Sequence, residues 1–245
     1  MVLKRIVSGR GSVQISIICI LTVFPLGLIL SQPVERIDLE RIPQEKVRNY
    51  IISRSIDKLD DFSSIRSSWE KDTNVSDYNL VENEFYLKNS LSEVWDCYLH
   101  TDPVKMWTGK SVKFGLMISK YSTTVLYASG PGSMDIDTGQ VYFLNLRVMF
   151  GLINVPVAFE VITIDPERKI LEFSYLEDNK SLGKQTIQFF DNGTGKTRIM
   201  HRSYFKSSSN LREKLFYPYF HGKLVRDFHR KMGHYIGNIK QASLN

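Results

Sequence analysis

The stretch that decides the fold is NLREKLFYPYFHGKLVRDFHRKMGHYIGNIKQ, Asn210 to Gln241. From Tyr217 on, Tyr217, Phe220, Leu224, Phe228, Tyr235 and Ile239 recur at steps of three, four or seven, with Val225, Met232 and Ile236 beside them. That period predicts an amphipathic helix with a wide apolar face. Lys223, Arg226, Arg230 and Lys231 fall on the other side. Pro218 suits a first helical turn, where its missing N–H costs nothing, or else kinks a helix begun at Leu211. At about 100° per residue His221 points to the middle of the apolar face, which a plain core helix does not require. A helix of this kind, following a run of strands, seals a core or roofs a cavity.

The 245 residues allow one good-sized domain with extras, and 42% apolar with 24% charged residues is an ordinary globular composition. Formal net charge is +6, and a net +6 falls between Lys206 and the C-terminus. A basic helix meets phosphates or presents a solvated face. The solvated face is favoured, and no nucleic-acid partner is expected. Cys19 and Cys97 are the only cysteines, which excludes a disulfide framework and a multi-cysteine metal site.

Lys4, Arg5 and Arg10 precede an apolar run from Val13 to Leu30, so residues 1–31 read as a signal peptide or N-terminal membrane anchor. Eighteen helical residues rise about 27 Å, marginal against a hydrocarbon core of roughly 30 Å. Pro25 and Gly27 interrupt the run, a weak cleavage site follows Ser31, and a soluble helix is the remaining alternative. The leading basic residues favour a cytoplasmic N-terminus, which places the domain on the non-cytoplasmic side.

Gln32 to Arg41 reads as a charged linker. From Gln44 to Trp69, Ile52, Ile56, Leu59, Phe62, Ile65 and Trp69 predict one or two amphipathic helices that dock on the domain or on a partner. Tyr78 to Lys88 alternates as a strand. Ser90-Leu91-Ser92-Glu93 carries a capping box, and Thr101-Asp102-Pro103 starts a second short helix that ends near Trp107. Strands are then predicted over 112–119, 123–128, 140–149, 155–164, 169–175, 184–190 and 197–205. Short turns between them imply antiparallel pairing of neighbours.

Gly193-Thr194-Gly195-Lys196-Thr197 looks like the end of a phosphate loop, but Phe190 stands where that motif needs glycine. A strand follows it as well, so a hairpin turn is the better reading. The histidines at 100, 201, 221, 229 and 234 are too scattered to propose a metal site, and no cofactor motif occurs. His221 is either a core residue with a satisfied hydrogen bond or a pocket group that orients a ligand or moves a proton. Asp96, His100, Glu160, Glu172 and Tyr204 are further candidates for the same interior.

The order of elements resembles the START-like, Bet v 1-like helix-grip superfamily. The residues that carry the resemblance are the strand Val81–Leu87, Ser90-Leu91-Ser92-Glu93-Val94-Trp95-Asp96, and Trp107 at the close of the second short helix. Asp165-Pro166-Glu167-Arg168, Gly195-Lys196-Thr197-Arg198-Ile199 and the long closing helix complete it. The resemblance implies an α+β domain over 78–245, in which a curved antiparallel sheet wraps around the C-terminal helix with an apolar cavity between them. It implies no single chemistry. Helix phase and strand position make Tyr217, His221, Leu224, Phe228, Met232, Phe114, Phe143, Phe159 and Phe173 the candidate ligand-binding residues. The expected function is non-catalytic binding or transport of a hydrophobic small molecule or lipid. The rivals are a cyclase/dehydratase-type enzyme with His221 as proton shuttle, and a scaffold with a filled core that binds a partner through the Gln44–Trp69 helix.

Overall fold

A computed structural model describes residues 36–242, apart from 71, 123, 130–133, 178, 194 and 208–216 and the side chains of 150, 207, 217, 218 and 239–242. By its contacts the chain divides into two units, Met1–Ser31 and Gln32–Asn245. The first unit, and with it the signal or anchor reading, lies outside the described residues. Among those that are described, no helix is long and apolar enough to cross a membrane.

The second unit is built on eight antiparallel strands: β1 (Asn79–Leu87), β2 (Val112–Ser119), β3 (Val125–Tyr127), β4 (Gln140–Val148), β5 (Ile153–Asp165), β6 (Ile170–Tyr175), β7 (Ser181–Asp191) and β8 (Thr197–Ser207). Their order in the sheet is β1-β8-β7-β6-β5-β4-β2-β3. Every predicted strand is present, with ends shifted by at most three residues. The 193–197 stretch is the β7–β8 hairpin turn, with Gly193 at φ 70° and Gly195 at φ 66°. Register breaks between Phe114 and Leu116 and between Val161 and Thr163 bend the sheet where its strands change face.

Among the described residues four α-helices accompany the sheet: α1 (Glu45–Ser53), α2 (Leu91–His100), α3 (Pro103–Trp107) and α4 (Tyr217–Ala242). The capping box forms as read, with Ser90 Oγ accepting from the Glu93 N–H and the Glu93 carboxylate accepting from the Ser90 N–H. Asp102 caps α3, and Pro103 opens it. Pro218 falls in the first turn of α4. Alternation along the strands makes two cores. The inner one joins Phe114, Tyr142, Phe159, Phe173, Ile187, Phe189 and Ile199 of the sheet to α2 and to Met232 and Ile236 of α4.

The outer core corrects the linker reading. Ile37, Ile42, Val47, Tyr50, Ile51, Phe62 and Ile65 are buried against Leu116, Ile118, Tyr127, Val141 and Phe143 on the far face of the sheet. Residues 36–65 therefore cover that face of the domain itself. Only 45–53 is α-helical, because Ser55 turns left-handed at φ 54° and ends the helix. Ile56, Phe62 and Ile65 keep their spacing through single 3-10 turns that set each one down on the sheet, while Ile52 is 47% exposed. Gly115 permits the close approach of α1, since a Cβ there would meet Val47 Cγ1 and the Phe143 carbonyl at 2.8 Å.

Candidate functional site

Inward-facing side chains of β4 to β8, the α3–β2 loop and α4 enclose a cavity of about 530 Å³. Its walls are mostly apolar. Trp107 stacks on Phe228 with ring centroids 4.7 Å apart at 14°, and meets Phe159 edge-on at 4.9 Å. Phe159 in turn meets Phe173 edge-on at 5.4 Å. Leu144, Leu146, Val157, Ile187 and Leu224 fill the spaces between the rings. The Nε1 of Trp107 is buried and has no hydrogen-bond partner among the described residues.

Starting on one wall, polar groups of β6, β7, β8, α4 and α2 form a directed chain. Gln185 Nε2 donates to the Tyr175 hydroxyl at 3.0 Å, which leaves Gln185 Oε1 as an acceptor. His201 Nε2 lies 2.8 Å from that oxygen and His221 Nε2 lies 3.3 Å from it, so both rings carry their proton on Nε2. Neutral His201 then accepts through Nδ1 from His229 Nε2 at 2.8 Å, and His229 Nδ1 accepts from the Tyr98 hydroxyl at 2.7 Å. His221 Nε2 also lies 3.1 Å from Ser203 Oγ. Gln185, His201, His221 and Tyr175 touch the cavity, and the chain runs from there into the core.

Burial explains why these rings are neutral. Desolvation pushes His221 down to about 4 and His229 to about 3, and it lowers His201 well below the usual imidazole value, with the two neighbouring rings adding to the effect. Among the described lining residues the cations stand where the cavity reaches solvent, at exposed Lys110 and Arg230 and half-buried Lys231. Burial, then the charge of Lys113, brings the Lys231 amine down to about 8. That amine donates to the carbonyls of Lys105, Met106 and Thr108 at the end of α3. Asp227 joins the same rim, accepting from Ser111 Oγ at 2.7 Å and from Arg230 at 2.8 Å.

No protein-family model and no curated protein matches the sequence. Among solved structures, norcoclaurine synthase from Thalictrum flavum, a point mutant in complex with a transition-state analogue, matches at TM-score 0.50 and 12% identity. The match covers 66% of this chain and 96% of that one. The chain has the Bet v 1-like helix-grip fold. Major latex-like protein 151 from Panax ginseng is also similar, at TM-score 0.48 and 12% identity over 64% of this chain and 97% of its own. Ara h 8.0201 matches at TM-score 0.47 and 10% identity over 66% and 99%.

Within the helix-grip fold, five of the residues singled out from the sequence line the cavity: Phe159, Phe173, His221, Leu224 and Phe228. Phe114 and Met232 lie in the inner core beside it. Phe143 points to the opposite face, edge-on to Tyr50 of α1, because alternation along β4 puts Tyr142 and Leu144 inward and Val141 and Phe143 outward. Tyr217 begins α4, and its side chain lies outside the described residues. The further candidates do not share the interior. Glu160 pairs with Lys120 at 3.1 Å and Glu172 with Lys184 at 2.6 Å on the far face, where Tyr204 packs on Trp69. Asp96 is exposed, and exposed His100 pairs with Asp135 at 3.0 Å.

Sequence reasoning missed His201, His229, Gln185, Tyr98 and Trp107 as members of one site. Five elements, α2, β6, β7, β8 and α4, contribute the polar chain, and nothing in the spacing of 98, 175, 185, 201 and 229 brings them together. The one available signal was alternation along β8, which puts Ile199, His201, Ser203 and Phe205 on the buried face.

Proposed function

We propose that the domain captures a hydrophobic small molecule or lipid in the cavity between the sheet and α4, without catalysis. The observation that carries this reading is the cavity, about 530 Å³ with aromatic and aliphatic walls. That size suits a small-molecule site, typically ~300–1,000 Å³. Apolar walls reward burial by roughly 25 cal/mol per Å², and a few polar groups fix orientation. Trp107 Nε1–H is a donor suited to a ligand acceptor, and the Gln185–His221 wall supplies neutral dipoles. Imidazoles held neutral down to about pH 4 favour orientation over proton transfer at neutral pH. One protein of this fold is a synthase, so the fold itself does not choose between capture and catalysis. The basic residues ahead of the apolar run at 13–30 support export, or anchoring with the domain outside the cytoplasm.

Titration with the fluorophore 1-anilinonaphthalene-8-sulfonate tests the capture reading. Wild type should bind it saturably at one site, and Leu224→Trp, which fills the cavity from α4, should weaken that binding by about tenfold or more while the protein stays folded. Equal binding by both proteins would remove the cavity from the account.

A further inference from the structure

We propose that the tip of the β4–β5 hairpin docks the mouth of the cavity onto an anionic lipid bilayer. The tip sequence Val148-Met149-Phe150-Gly151-Leu152-Ile153 has no polar side chain. Its apolar groups face water: Leu152 is 82% exposed, Ile153 46% and Met149 44%. A single exposed leucine means little, but adjacent large apolar groups at the end of one hairpin mark an interaction surface. The turn holds them there. Met149 adopts φ 50° and Gly151 φ 91°, and the Leu152 N–H donates to the Met149 carbonyl at 3.2 Å.

Charge identifies the partner. The Arg147 guanidinium lies across the tip, so close that a Cβ on Gly151 would meet Nη2 at 2.6 Å. The Arg147 N–H donates to the Ser111 carbonyl at 2.8 Å, which ties the hairpin to the loop that carries Lys110 and lines the cavity. Lys113 follows on β2, and Arg230 and Lys231 stand on the α4 side of the same opening. Asp227, already bonded to Ser111 and Arg230, is the one acid among the described lining residues. An apolar tip with a cationic collar fits a bilayer interface, where side chains enter the acyl boundary and lysines and arginines meet lipid phosphates. Leu146 and Ser111, next to the tip, line the cavity, so a docked tip brings the cavity wall to the bilayer and shortens a lipid's path through water. Docking goes beyond ligand capture and does not depend on it.

Hydrogen exchange of the full-length chain, read by mass spectrometry, tests the proposal independently of any binding by residues 1–31. Vesicles of mixed phosphatidylcholine and phosphatidylglycerol should slow exchange across 149–153 by about tenfold or more. Phosphatidylcholine alone should slow it less, and added salt should reverse the difference. Met149→Asp with Leu152→Asp should abolish the protection without lowering the melting temperature, since both side chains are exposed. Unchanged exchange at 149–153 in the vesicle-bound chain would overturn the proposal. So would equal protection by both vesicle types, or protection that appears only when another protein is added.

Discussion

His201 Nδ1 and His229 Nε2 lie 2.8 Å apart in the core, and one proton sits between them. A second would set two N–H groups face to face, with no room to turn. His201 cannot give up its Nε2 proton instead, because Gln185 Oε1 needs that donor. The site is therefore built for neutral imidazoles, and this has a thermodynamic consequence.

Stability should fall as pH drops below about 6.5. In the unfolded chain these histidines titrate near 6.5, whereas in the fold His221 is held at about 4 and His229 at about 3, with His201 also lowered. Between those limits the unfolded state binds more protons, so stability is fully present above 6.5 and is lost on acidification. Each ring contributes about 1.4 kcal/mol per pH unit over its window. Urea denaturation at pH 7.5, 6 and 5 should show a steady decline. A flat profile would mean that the rings are not buried neutral.

His221→Leu should destabilise the protein by about 1–3 kcal/mol, because it leaves the Ser203 hydroxyl and part of the Gln185 acceptor without their donor. Its partners here are protein groups and its ring also lines the cavity, so both alternatives open at the level of sequence stand. The same change should also alter ligand affinity, since His221 stands on the cavity wall. Thermal melts with and without bound fluorophore read both effects.

Trp107→Phe keeps an aromatic ring against Phe228 and removes an N–H that has no partner among the described residues. Stability should change by no more than about 1 kcal/mol, because the lost ring volume is offset by removal of an orphan donor. Ligand affinity should fall severalfold if a ligand acceptor meets that donor. Calorimetric titration of the two proteins with the same ligand compares them directly.

Residues 36–65 should prove to be part of the fold. Ile51→Ala, at a fully buried position on the outer face, should cost about 2–5 kcal/mol. Gly115→Ala should cost about 1–3 kcal/mol by driving a methyl group into Val47 and the Phe143 carbonyl. Denaturation midpoints near wild type for both would contradict the packing of this segment on the sheet.

The sheet, the short capped helices and the closing helix were legible because each rests on local rules: alternation, Ser90 and Asp102 as caps, glycine turns, and the three-four period after Tyr217. Ile37 and Ile42 were not, since two isoleucines among charges carry no period, and only the sheet's unfilled outer face explains their burial. His221 was legible from phase within one helix. Its neighbours were not, because His201 joins His229 across 28 residues and Tyr98 joins it across 131, and such contacts follow from topology alone. Phe143 shows the same limit: β4 is apolar and buried on both faces, so alternation alone does not say which of Tyr142 and Phe143 turns toward the cavity.

Native mass spectrometry of the protein purified from its own host tests the central claim most directly. The account predicts a complex with one apolar small molecule or lipid per chain, and loss of that added mass in Leu224→Trp, whose indole occupies the same space. Wild type recovered only at its unliganded mass, indistinguishable in occupancy from Leu224→Trp, would contradict it.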